Sequence, residues 1–246
     1  MDFLPDLLTV VEWATVVVTF IMMASGMPVC VSMYKKRSVA NVPYLLFLIS
    51  TFVSSLGLQY GILIGNSTLT LINVVSVCVW GAYVSTYILV SKSKVTPLLK
   101  LLAVAGLYSA HLYYLTILPS NDVVLTVGKY LLFWCTILCV IPANEIVTMV
   151  QEKSTKCCNL PLLFGGTLSG VVWYLYGYLM DDATIYFPNI PALLVSSVKF
   201  FLMFIYGLPS KQTAKNSSSA TTSAVTRDSQ NNVHKVTATG ITRRNK

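Results

Sequence analysis

Residues Lys153 to Asn189 read KSTKCCNLPLLFGGTLSGVVWYLYGYLMDDATIYFPN. Their punctuation occurs once before, 116 residues earlier: Ser38, Tyr60, Gly61 and Asn73 stand opposite Ser154, Tyr176, Gly177 and Asn189 without a gap. Each copy runs from a basic residue and Ser through an apolar stretch to Tyr-Gly, 22 residues after the Ser, and on to an Asn 13 residues after the Tyr. A repeat at a fixed offset is one structural unit used twice, so it decides the architecture before any finer feature does.

With 55% hydrophobic and 11% charged residues in 246, the chain has more apolar side chain than a soluble core of this size hides. The class is an all-α integral membrane protein. A helix crosses a hydrocarbon layer of roughly 30 Å with about 20 apolar residues. Seven such runs are expected, at 7–33, 43–64, 69–90, 97–118, 123–143, 160–180 and 186–207. The first is too long for a cleaved signal peptide and has no basic stretch before it, so it is expected to stay in the mature protein.

The net charge of +8 lies in short loops and a polar tail with no nucleic-acid-binding motif, so it reads as a topology signal and the lipid bilayer, not nucleic acid, is the partner. Lys35-Lys36-Arg37, Lys92 with Lys94, and Lys153 with Lys156 mark alternate loops as cytosolic by the positive-inside rule. That puts the N-terminus on the extracellular or lumenal side and the C-terminus in the cytosol. Residues 210–246, rich in Ser, Thr, Asn and Lys, are expected to form a disordered cytosolic tail. The six cysteines have neither zinc nor disulfide spacing. Cys157 and Cys158 sit beside a membrane boundary, where acylation occurs, although two unmodified residues are the plainer reading.

The fourth run has no counterpart in the repeat and reads as a linker helix. Three helices, one linker and three helices give two parallel repeats, since the extra crossing restores the orientation of the second triplet. The expected division is 7–94, first repeat; 95–121, linker; 122–209, second repeat. His111 in the linker reads as a packed residue with a single hydrogen bond. Lys199 reads as a boundary anchor whose stem snorkels to the headgroups. Asn66 has the form of a glycosylation sequon, but it lies too close to two helix ends to be a good acceptor.

Asn73 and Asn189 stand a few residues into apolar helices, where an unpaired amide costs roughly 2 to 7 kcal/mol. Each must face protein or a wet cavity. Facing the axis between the repeats, they offer matched donors and acceptors to an uncharged, polyhydroxylated solute; as helix glue they would add about 0.6 kcal/mol each. Trp173 lies one turn before Tyr176 on the same helix face, and its ring suits either the C–H face of a pyranose or a membrane interface. No metal-ligand cluster, nucleophile set or intramembrane carboxylate pair suggests an enzyme.

The doubled pattern resembles the SWEET (MtN3/saliva) family of sugar transporters over about residues 10–208. The phrases RSVANV, Arg37–Val42, and KSTKCCNLP, Lys153–Pro161, are similar to its animal type. The resemblance implies a bidirectional facilitative sugar transporter, a uniporter moving mono- or disaccharides such as a glucose-like hexose by alternating access. It implies no cofactor and no metal, a homo-oligomer, and the plasma membrane as location, with the Golgi or another endomembrane as the second choice. By position it makes Asn73, Asn189 and Trp173 substrate-binding residues, with Gly57 at the matching place in the second helix. Relatives often hold a larger residue there, so the pocket is expected to be roomier on that side. It makes Tyr60, Asp182 and Tyr176 the external gate, and four prolines the hinges. Pro142 and Pro161 match that pattern, whereas Pro28 and Pro43 stand two residues off it and Gly26 takes the place opposite Pro142. An amino-acid transporter of the related two-triplet architecture is the alternative, with a seven-helix receptor behind it.

Overall fold

The computed structural model describes residues 3–39, 42 and 44–208; Pro43 and the tail 210–246 lie outside them. The described elements are helical: α1 (Phe3–Ala24), α2 (Met27–Lys36), α3 (Tyr44–Leu63), α4 (Ser67–Val90), α5 (Val95–Thr116), α6 (Ser120–Val140), a 3-10 turn (Ile141–Ala143), α7 (Asn144–Glu152), α8 (Leu160–Leu179), α9 (Ala183–Tyr186) and α10 (Asn189–Tyr206). They make seven spans long and apolar enough to cross a membrane, the first, fifth and seventh each built from two helices. Trp13, Leu89, Tyr113, Phe164 and Phe204 are among many large side chains exposed on the outside of the spans. Such a surface suits hydrocarbon, where the helix has already satisfied its own backbone.

The repeat in the sequence is a repeat of backbone geometry. Arg37 and Lys153 take left-handed φ values of 49° and 46°, as do Gly65 and Asp181 at 69° and 54°. After each of these four residues the next N–H reaches back five residues, Ser38 to Met33 and Ser154 to Met149, Asn66 to Gly61 and Asp182 to Gly177. These are Schellman stops, which close the last carbonyls of a helix. The two halves therefore end their helices with the same bonds at both membrane faces.

The described residues divide into two compact units, those within 3–143 with 161–197 and those within 144–160 with 198–208. In the first, Leu56, Val127 and Tyr176 are almost wholly buried and cluster with Phe52, Tyr60 and Ile185. Helices of both halves meet in this core. The linker α5 is exposed along most of its length. His111, one of its two buried residues, packs edge-on to Tyr130 and has one hydrogen bond, Nε2 to Gln59 Oε1 at 3.1 Å. That is the packed residue expected.

In the second unit two expectations need correction. The fifth span does not end at 143: after the 3-10 turn at Pro142 it resumes as α7 and carries Glu145. Lys199 does not snorkel. Its side chain is 5% exposed, and Nζ donates to Glu145 Oε2 at 2.8 Å. A tight 3-10 turn can bridge a proline and let a helix resume, and that turn brings Glu145 into the span that meets Lys199.

Candidate functional site

The Tyr-Gly end of each half is built around a helix cap. Asn66 caps α4, its Oδ1 accepting from Leu69 N at 2.8 Å. Its register mate Asp182 caps α9, with Oδ1 accepting from Thr184 N at 2.9 Å. Each cap uses one side-chain atom to satisfy an orphan N–H of the helix start. The remaining atom faces the other half of the molecule. Tyr60 Oη donates to Asp182 Oδ2 at 2.9 Å. Asn66 Nδ2 donates to Tyr176 Oη at 2.7 Å, and that hydroxyl lies 3.0 Å from Asn66 Oδ1.

The two pairs form crossed latches: each half's tyrosine bonds the other half's cap. Tyr60 and Asp182 are thus joined directly, while Tyr176 joins Asn66 instead. Asn66 was missed as a member, although its place opposite Asp182 was the signal. It is buried with its amide nitrogen engaged, so in this conformation the sequon presents no free acceptor. The glycine of each Tyr-Gly lets a hairpin close. A Cβ at Gly61 would lie 2.9 Å from Thr70 Oγ1, and one at Gly177 would lie 2.5 Å from Tyr186 N.

One to two turns deeper, Asn73 and Asn189 have identical settings. Asn73 Nδ2 donates to Leu69 O at 2.8 Å and Asn189 Nδ2 to Ile185 O at 2.9 Å. Both are half-buried. No hydrogen bond joins them to each other among the described residues. Gly57 and Asn73 do meet, because a Cβ at 57 would stand 2.6 Å from Asn73 Oδ1. The expectation of a roomier pocket beside Gly57 is therefore corrected, since the Asn73 amide fills that room. Trp173 is the register mate of Gly57; its Nε1 donates to Thr19 Oγ1 at 2.9 Å and its ring sits edge-on to Tyr176. An indole with its N–H bonded to α1 is held in one orientation.

Gly57→Val should accordingly drive the Asn73 amide out of its rotamer, with overpacking worth about 1–3 kcal/mol. Transport is expected to fall while Gly57→Ser, a smaller intrusion, falls less; equal rates in both would show that Asn73 is free to move aside.

The described hinge candidates occupy two different settings. Gly26 and Pro142, register mates, both mark breaks, between α1 and α2 and between α6 and α7. Pro28 stands in the first turn of α2, and Pro161 is the second residue of α8. In a first turn the missing N–H has no intrahelical partner to lose. Near Pro161, Cys157 is exposed and Cys158 buried. Burial, with the nearby charge of Glu145 adding to it, pushes both thiols up from their ordinary range, so neither is an activated nucleophile.

The family described as "Sugar efflux transporter for intercellular exchange", MtN3/saliva, matches residues 9–95 and again 129–212. The chain belongs to this family. Its two matches fall on the two copies of the repeat. "Sugar transporter SWEET1" of Xenopus tropicalis is 30% identical over 204 residues, covering 82% of this chain and 95% of that one. The human protein of that name is 30% identical over 196 residues, 78% and 88% of the two chains. A solved structure titled as that of a eukaryotic SWEET transporter superposes with a TM-score of 0.75 at 17% identity, over 83% of this chain and 99% of that chain. The fold is thus the SWEET fold, with seven spans in the membrane, and the family is one of sugar transporters and not of enzymes.

Proposed function

We propose that this MtN3/saliva protein is a uniporter that carries a mono- or disaccharide in either direction by alternating access, with Asn73 and Asn189 binding the sugar. The observation that carries this reading is the identical setting of the two amides. Each has one N–H fixed to its own helix four residues back, and an amide so held still has a second N–H and a carbonyl oxygen to offer. Two such groups at matching depth suit the hydroxyls of an uncharged ring, and Trp173 adds a flat face for its C–H side. The relatives' names, sugar transporters, support the same class of solute.

In this reading the repeats are residues 7–94 and 122–209, joined by 95–121, and they rock about the Asn level. The crossed latches close the extracellular or lumenal side, where the N-terminus lies, while the basic loops face the cytosol. Pro142 and its mate Gly26 supply the bends, with Pro28 and Pro161 at the neighbouring helix starts and Pro43 as a further hinge. Homo-oligomers in the plasma membrane complete the proposal.

Radiolabelled glucose uptake and efflux in cells lacking their own hexose transporters tests it, with Asn189→Ala compared at matched surface level. Flux in both directions, indifferent to proton and sodium gradients and lost in the variant, is expected. Undiminished flux in Asn189→Ala would remove the proposed site. Flux that follows an imposed proton gradient would remove the uniporter.

A further inference from the structure

The two latches differ in one respect that the repeat does not predict. Asp182 brings a carboxylate to one, whereas its mate Asn66 brings none to the other. The missing acid arrives from a different position. Glu12 of α1 accepts a hydrogen bond at Oε1 from Thr68 Oγ1, two residues past the Asn66 cap. The register mate of Glu12 is Gly128 and that of Thr68 is Thr184. A Cβ at Gly128 would lie 3.2 Å from both Thr184 Oγ1 and Tyr60 Cε2. The position therefore looks onto the equivalent threonine in both halves. Where the cap is Asp it is Gly, and where the cap is Asn it is Glu.

We propose that Glu12 is the acid of the Asn66–Tyr176 latch, a positioning residue that pins the first turn of α4 to α1 and so sets how readily that latch opens. The inference rests on the gating role of the latches proposed above. Each latch then has one carboxylate at its capped helix start, supplied from the cap in one half and from α1 in the other. A negative charge beside the start of α4 also suits the positive end of that helix.

The test reads gate opening without any sugar. Asn73→Cys serves as reporter in purified full-length protein in detergent micelles, and the rate of modification by a polar maleimide is followed at position 73 by peptide mass spectrometry. T68V, which removes the bond, is expected to label about tenfold faster than the reporter background, the worth of one hydrogen bond to a charged group. E12Q keeps an acceptor for Thr68 but loses the charge, so it should label faster than background by less, and E12Q/T68V no faster than T68V alone. E12G alone should behave as T68V, and E12G/N66D, which copies the Gly128–Asp182 arrangement, should return the rate towards the background. A residue that only packed α1 against α4 would not be rescued by an acid moved to position 66. Background rates in both E12Q and T68V, or an E12G/N66D protein as fast as E12G, overturn the proposal. Because no transport is measured, a protein that carries no glucose would defeat the functional reading and leave this result standing.

Discussion

Glu145→Leu is expected to lower the thermal stability of the protein more than Lys199→Met does, and the double variant Glu145→Leu/Lys199→Met should recover most of the loss. The asymmetry follows from the exposure of the two ends, 5% for the Lys199 side chain and 40% for Glu145. Removing the lysine leaves a carboxylate that water can reach. Removing the glutamate leaves an ammonium enclosed by protein, and breaking a buried pair from one side costs about 3–5 kcal/mol. Partial exposure of Glu145 reduces the figure, so a loss of about 2–3 kcal/mol is expected for Glu145→Leu and about 1 kcal/mol for Lys199→Met. Leu and Met together restore an uncharged contact of similar volume, which often equals the ion pair it replaces. Melting of the purified variants in one detergent, followed by tryptophan fluorescence, gives the ranking. A double variant less stable than both singles would mean that the pair contributes net stability which packing cannot replace.

The ion pair also shows where the sequence stops being readable. Offset and spacing identify which positions are equivalent, and the backbone obeyed them down to the left-handed residues Arg37, Lys153, Gly65 and Asp181. Contacts are another matter. Tyr60 touches Asp182 and not Asn66, and Tyr176 touches Asn66 and not Asp182, because the tyrosines reach across to the other half while the register runs along the chain. Equivalence could therefore name Tyr60, Tyr176 and Asp182 and still leave Asn66 read as a sequon.

Breaks were legible as residue types but not as consequences. Pro142 was visible, yet nothing local tells whether a proline ends a helix or is bridged by a 3-10 turn. The answer depends on α7 packing, with Met149 fully buried and Glu145 meeting Lys199. Gly57 gives the opposite case. A small residue beside a candidate pocket suggests open volume, and only coordinates show that a neighbouring amide has taken it. Glu12 was legible as a charge near the start of a span and uninformative until Thr68 was found beside it.

Gly177→Ala is expected to have the largest effect of any single methyl added to this protein. The new Cβ would stand 2.5 Å from the backbone nitrogen of Tyr186 and 2.9 Å from Ile185 Cβ. Backbone cannot rotate out of the way as a side-chain tip can, so the segment 182–186 must move. That segment carries Asp182, and its displacement breaks the bond to Tyr60 at 2.9 Å. Gly61→Ala meets the same obstacle half as severely, with Thr70 Oγ1 at 2.9 Å and Thr70 N at 3.0 Å, and shifts the Asn66 latch instead. Overpacking of this kind costs about 1–3 kcal/mol where side chains can yield, and Gly177→Ala should lie at or above the top of that range. Gly81→Ala and Gly106→Ala are the controls, since nothing lies within 4 Å of the added atom and alanine favours a helix over glycine by about 1 kcal/mol. Surface level and melting temperature should therefore fall in the order Gly106→Ala and Gly81→Ala, wild type, Gly61→Ala, Gly177→Ala, and transport should follow for the last two. Wild-type stability in Gly177→Ala would mean that the hairpin of α8 and α9 is not packed as closely as the bond from Asp182 to Tyr60 requires, and the crossed-latch account of the gate would fail with it.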